Sequence, residues 1–249
     1  MILRLLALTL WAVPLLHGAN ADELVREANA AEIGLDPRQA LEFLLHADQL
    51  RPGDASILQK IARQYSDLVV EQPNRDEKKR YAQMALDYAQ RALAINPRDP
   101  VNVLSLAVCH GKLALYSDTR NKISYSRLVR DEAETALALD PNYAWAHHVL
   151  GRWHCEVATL NAASRLFVKL FYGDLPAASI AEGIRQLERA CELEPTELNH
   201  WLELGFAYLA ADEKEKARAQ WMRGLAMPSR GIHDEPAKQR AREALAKLD

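Results

Sequence analysis

Glycine and proline are scarce, at 10 and 11 of 249 residues, so little in the chain breaks helices. Alanine, leucine, glutamate, arginine and lysine abound instead, a balance that favours helix throughout. Net charge is −3 with no long block of one sign, which leaves no phosphate-tracking surface and excludes nucleic acid as a partner. There is no G-x-S-x-G, no Walker loop, no glycine-rich dinucleotide turn, no C-x-x-C and no H-E-x-x-H. Carboxylates are scattered as on solvated helix faces. The chain therefore reads as a non-enzyme with neither cofactor nor metal. Its three cysteines, Cys109, Cys155 and Cys191, each fall in an apolar helical pattern, where a free thiol behaves as a small hydrophobe. An odd count leaves at least one thiol unpaired in an exported protein, and a Cys109–Cys155 disulfide would form only if those two helices were neighbours.

A bilayer-spanning run is also missing. The stretch from Leu5 to Leu16 is about a dozen residues, short of the roughly 20 a span needs, and Pro14 interrupts it. Arg4 precedes it and Ala19-Asn20-Ala21 follows, which is the layout of a secretory signal peptide. The expectation is cleavage after Ala21 and export, to the periplasm in a bacterium. The competing reading is an uncleaved anchor, and membrane association is expected only in that case.

What is present is a repeat. HADQLRP, RALAINP, TALALDP and RACELEP end on Pro52, Pro97, Pro141 and Pro195, with Ala47, Ala92, Ala136 and Ala190 five residues before. Proline cannot continue a helix, so each marks a helix end, and a new apolar period opens three residues later. Trp201, Leu204, Gly205 and Tyr208 recur as Leu58, Ile61, Ala62 and Tyr65, as Val103, Leu106, Ala107 and His110, and as His147, Leu150, Gly151 and His154. That spacing is one stripe of a helix. Ala217, Trp221 and Gly224 form the answering stripe on a second helix, and Ala28 with Ala40 fill the small positions of a first unit. The intervals are those of a tetratricopeptide repeat. The fold class is an all-α superhelical solenoid of antiparallel helix pairs with long insertions. Residues 1–21 are assigned to the leader, 22–232 to the repeats and 233–249 to a capping helix with Ala241, Leu245 and Leu248 inward.

The proline intervals of 45, 44 and 54 residues exceed the ideal of about 34. EQPNRDEKKR is expected as a solvated loop. In SDTRNKIS, Ser117 or Asp118 is expected to end one helix and Asn121 to cap the next. The apolar ATLNAASRLFVKLFYGDLPAAS predicts an additional helix from about Ala162, with Ser179 capping its successor. It is expected to fold onto the solenoid and complete the core, or else to serve as a lid or docking element.

In such a solenoid the first helices line the concave side. Register places Ser56, Gln59 and Arg63 there, then Val101, Leu104 and Val108, then Trp145, His148 and Arg152, then Asn199, Leu202 and Phe206. The wall runs from polar to apolar, with Leu104 and Leu202 equally compatible with packing between helices. The candidate binding residues are Arg63, Trp145, His148, Arg152, Asn199, Leu202 and Phe206, Trp and Arg being types that dominate interface energies. The expected occupant is a protein segment, an amphipathic helix or extended tail anchored by Trp145 and fixed by Arg63 or Arg152. The alternative is a lipid acyl chain or other apolar ligand in a groove covered by the inserted helix near 162–172, with Arg152 at an anionic head. His110 and His154 stand where Tyr65 and Tyr208 stand in other units, so they read as core rings rather than metal ligands.

Three segments carry a family likeness: NKISYSRLVRDEAETALALDP, HHVLGRWHCEVATL and LFYGDLPAASIAEGIRQLERACELEP. On these the stretch from about residue 80 to 228 resembles the regulator of microtubule dynamics family, as an exported bacterial relative. The resemblance implies an all-helical scaffold that acts by binding, with microtubule or membrane-contact roles in animal members. An export signal would separate this chain from cytoplasmic microtubules, and the family supplies no catalytic residues.

Overall fold

The computed structural model describes residues 20–173 and 175–248. The apolar stretch and most of the leader lie outside these residues. The described residues form twelve α-helices: α1 Ala21–Ile33, α2 Pro37–Leu50, α3 Ala55–Leu68, α4 Arg75–Ile95, α5 Pro100–Leu115, α6 Thr119–Leu139, α7 Ala144–Ala158, α8 Ala162–Tyr172, α9 Ile180–Leu193, α10 Leu198–Ala210, α11 Lys214–Leu225 and α12 Asp234–Leu245. A short 3-10 turn, Val69–Glu71, follows α3. Among them no helix is long and apolar enough to cross a membrane.

The proline signals act as expected. α2, α4, α6 and α9 end at Leu50, Ile95, Leu139 and Leu193, two residues before their prolines, and the next helices begin at Ala55, Pro100, Ala144 and Leu198. Each terminal N–H, of Arg51, Asn96, Asp140 and Glu194, donates to the carbonyl of the alanine four residues back. All four alanines are fully buried. With no exposed surface at any of the four, a larger side chain would have to displace its packed neighbours, which accounts for alanine recurring before each proline. Acidic or Asn side chains then cap α1 to α6 and α10, as when Asp54 Oδ1 accepts from the Ser56 and Ile57 amides at 2.9 and 3.3 Å. Each such cap contributes about 1 kcal/mol.

The helices pair as α1–α2, α3–α4, α5–α6, α7–α9 and α10–α11, and α12 packs on α10 and α11. In the last pair a Cβ on Gly205 would overlap the Trp221 ring, which is fully buried with its indole N–H donating to the Leu202 carbonyl at 3.1 Å. In α7–α9 the contact is glycine on glycine. A Cβ on Gly151 would stand 2.9 Å from the Gly183 carbonyl oxygen, and one on Gly183 equally close to that of Gly151. Ala241 of α12 is buried in the core cluster, with Leu245 and Leu248 packed against it. Cys109, Cys155 and Cys191 carry free thiols, and Cys155 Sγ seats against Gly183.

Three local expectations need correction. Only residues 72–74 of the first insert are loop, because Asn74 accepts from the Glu77 amide and starts α4 at Arg75. Most of that insert lengthens α4 to 21 residues. In the second insert Asp118 is the cap, and Asn121 lies inside α6 and donates to it. The apolar α8 does form, with Asn161 as its cap and Ser179 capping α9. Only Val168 of α8 is buried, so it adds little to the core. α1 begins at Ala21, with Asn20 Oδ1 accepting from the Glu23 amide at 2.9 Å. A chain starting at Asp22 would lack that cap.

Candidate functional site

The first helices of successive pairs pack in series, α3 on α5, α5 on α7 and α7 on α10. Side-chain hydrogen bonds extend the row: Lys60 Nζ donates to Asn29 Oδ1 at 2.8 Å, Gln64 Nε2 to Glu32 Oε1 at 2.6 Å and Gln59 Nε2 to Ser105 Oγ at 3.1 Å. In a tetratricopeptide superhelix the first helices line the concave side, which makes this row the candidate binding face. Its surface is dominated by charge.

Two ion-pair chains cross it. Arg63 lies 3.7 Å from Glu32 and 3.8 Å from Asp67, and Asp67 also receives His233 Nε2 at 2.8 Å. The last contact joins α3 to the turn before α12, 166 residues away, so the superhelix returns on itself. In the second chain Arg152 Nε sits 3.1 Å from Glu203, which also pairs with Arg240, and Arg152 reaches Glu156 at 3.0 Å. The Glu203 carboxylate raises the Arg152 pKa further, so that guanidinium keeps its charge despite partial burial. Between the chains, burial lowers the Lys112 pKa while Asp67 opposes the shift. Arg63, Arg152 and Arg240 remain 58%, 44% and 49% exposed, whereas Glu203 and Asp67 are 12% and 14% exposed. The carboxylates form the floor, and the guanidiniums can still turn outward.

The seven residues named from sequence do not share one surface. Arg63 and Arg152 stand on the face. His148 and Leu202 are buried beneath it, at 6% and 1% exposure. Trp145, half-buried, joins His148 and His200 in an aromatic cluster with centroids 4.8 to 5.0 Å apart. Asn199 serves the fold: its amide donates to Glu197 and to Asp234 at 2.8 Å each, tying α10 to α12. Phe206 is covered by the Arg240 guanidinium, 4.4 Å over its ring, and packs on Trp221. The carboxyl-terminal end of the wall is therefore charged rather than apolar. The apolar part is α5, where Val101 and Val108 are 38% and 39% exposed.

His148 Nδ1 lies 3.0 Å from His200 Nδ1, so one ring donates and the other accepts, and both are neutral. Burial depresses both, His148 well below the ordinary range and His200 to about 4. His110 pairs with Glu132 at 2.9 Å and stacks on Tyr125, a core ring as its register implies. His154 is half-buried against Trp153, beside a recess of about 480 Å³ between α6, α7 and α9. α8 does not cover the concave face. It packs on α6, where Arg127 donates to the carbonyls of Tyr172 and Gly173 at 2.7 and 3.1 Å.

Sequence reasoning missed Asp67, Lys112, Glu203, His233 and Arg240. For Lys112 a signal existed, since it stands four residues past Val108 on the same stripe. The partners of Asp67 and Glu203 come from distant helices and leave no local trace.

Known proteins share this architecture. The chain is 18% identical to a thermophilic TPR protein of Thermus thermophilus, with a TM-score of 0.66 over 91% of this chain and 99% of that one. That likeness establishes the tetratricopeptide fold. Mouse Regulator of microtubule dynamics protein 1 is 23% identical over 232 residues, 92% of this chain and 75% of its own length. Human Regulator of microtubule dynamics protein 2 is 24% identical over 204 residues, 82% of this chain, and the match spans half of that protein. Residues 19–249 match the model of the family described as Regulator of microtubule dynamics protein 1-3. The chain is a helical-repeat scaffold that belongs to the family of Regulator of microtubule dynamics proteins 1-3.

Proposed function

We propose that the protein is a non-catalytic adaptor that holds a protein segment on its concave face, outside the cytoplasm. The observation that carries this reading is the position of α5: the helix bearing the partly exposed Val101 and Val108 packs between α3, which bears Arg63, and α7, which bears Arg152. An apolar side chain of the segment would seat on the valines. A carboxylate of the segment would meet a half-exposed guanidinium that can turn outward from its floor carboxylate. The floor carboxylates select against a uniformly acidic occupant, so the segment is one of mixed charge. The export part of the reading is supported by the leader-like sequence alone. The microtubule role in the relatives' names is not transferred, because that leader would separate the chain from the cytoplasm.

The test is a pair of gentle substitutions measured against a partner recovered by crosslinking. Val108→Asp and Arg152→Gln each alter the face without opening the core, and unchanged thermal melts would show as much. Loss of about tenfold in affinity from each is expected, the usual effect of an interface residue worth about 1.4 kcal/mol. Undiminished binding by both folded variants would place the partner elsewhere.

A further inference from the structure

On α8 the apolar side faces solvent. Val168 points into the protein at 7% exposure, while Leu166, Phe167, Leu170 and Phe171 are 57%, 45%, 68% and 69% exposed. Their spacing of one, three and one residues makes a single ridge opposite Val168. No other helix among the described residues exposes four large apolar side chains.

The surroundings of the ridge are cationic. Arg165 and Lys169 lie on α8 itself, and Arg120 and Arg127 of α6 line a recess of about 550 Å³ with Ile123, Ser124, Phe171 and Tyr172. Residues 118–131 and 156–174 carry six Lys and Arg against four Asp and Glu, a net positive balance in a chain whose overall net charge is −3. Arg127 holds the end of α8 by its carbonyls, and Arg165 donates to the carbonyls of Val157, Ala158 and Leu160 at the other end. The helix is thus fastened at both ends with its ridge outward.

We propose that α8 docks the protein peripherally on an anionic lipid bilayer, the ridge entering the headgroup–acyl boundary and the recess taking an anionic headgroup. A protruding ridge suits a deformable medium, whereas a protein partner would need a groove shaped to four bulky side chains. A second copy of this chain would bring one cationic rim against another, which costs free energy rather than contributing it. Lipid of negative surface potential satisfies both features at once. This contact is independent of the leader and of the concave face.

The experiment is flotation of the full chain with vesicles of phosphatidylglycerol and phosphatidylcholine or of phosphatidylcholine alone, beside the Leu170→Asp/Phe171→Asp variant. Any contribution of the leader is common to both proteins, so the difference reads α8. Partitioning into anionic vesicles is expected to fall about tenfold or more in the variant and to weaken in high salt. Equal partitioning of the folded variant overturns the proposal, as does equal wild-type affinity for neutral vesicles. A wild-type dimer abolished by the variant overturns it too, in favour of self-association. Should the variant misfold, Leu170→Cys carrying an environment-sensitive fluorophore decides. Blue-shifted emission quenched by brominated anionic lipid supports docking, and unchanged emission excludes it.

Discussion

The α10–α11 and α7–α9 pairs solve one packing problem in opposite ways. In α10–α11 each glycine receives a side chain, Gly205 the fully buried Trp221 and Gly224 the buried Leu202. In α7–α9 two glycines face each other and the backbones themselves meet. The first pair is joined by a turn of three residues, and the second is interrupted by α8 and its flanks, residues 159–179.

Removing the ring breaks the first arrangement. Trp221→Ala is expected to destabilise by about 4 kcal/mol, since it leaves a cavity in the seam and removes the indole hydrogen bond to Leu202, and chemical denaturation would read it. Adding one methyl breaks the second. Gly183→Ala is expected to cost about 2 kcal/mol because its obstacles are a carbonyl oxygen and the Cys155 sulfur. Cys155→Ala in that background should return part of the loss, and a double-mutant cycle without coupling would contradict the glycine-contact account.

The junction between the two pairs is the His148–His200 contact, and acid should loosen it. Both folded pKa values lie below the ordinary 6.5, so the unfolded chain takes up protons first and stability falls as pH drops below 6.5. Glu194, 3.6 Å from His200 Nε2 and raised by burial, works in the opposite sense, while Arg152 and Arg240 add to the histidine effect. A loss of about 1 to 2 kcal/mol by pH 5 is expected. Replacing both histidines by Phe should flatten the profile, and an unchanged profile would show that the contact does not titrate. The smallest effect belongs to the returning contact between Asp67 and His233. His233→Ala should cost about 0.5 kcal/mol, as partly exposed ion pairs do, visible as a slight drop in midpoint.

Much of the pairing was legible because proline, alanine and capping residues act locally. The prolines end α2, α4, α6 and α9 within two residues, and Gly205 anticipates Trp221 across a short turn. The inserts were harder. Arg75–Arg80 look loop-like by composition, yet continuation of α4 from an Asn74 cap outweighs their charge. The run LFVKLFY suggests burial by its hydropathy, whereas only Val168 finds a place in the core. The concave face was legible as a set of positions but not as chemistry. Arg152 acquires its meaning from Glu203, and Arg63 from Glu32 and Asp67, through contacts that only the superhelix creates.

The most direct test of the adaptor reading is a photo-reactive phenylalanine at Val108, compared with one at Glu215 on α11, in the cells that make the protein. The account predicts a discrete protein crosslink from position 108 that disappears with Arg152→Gln, and none from position 215. Crosslinks from both positions alike, or from neither, would contradict a concave-face binding site.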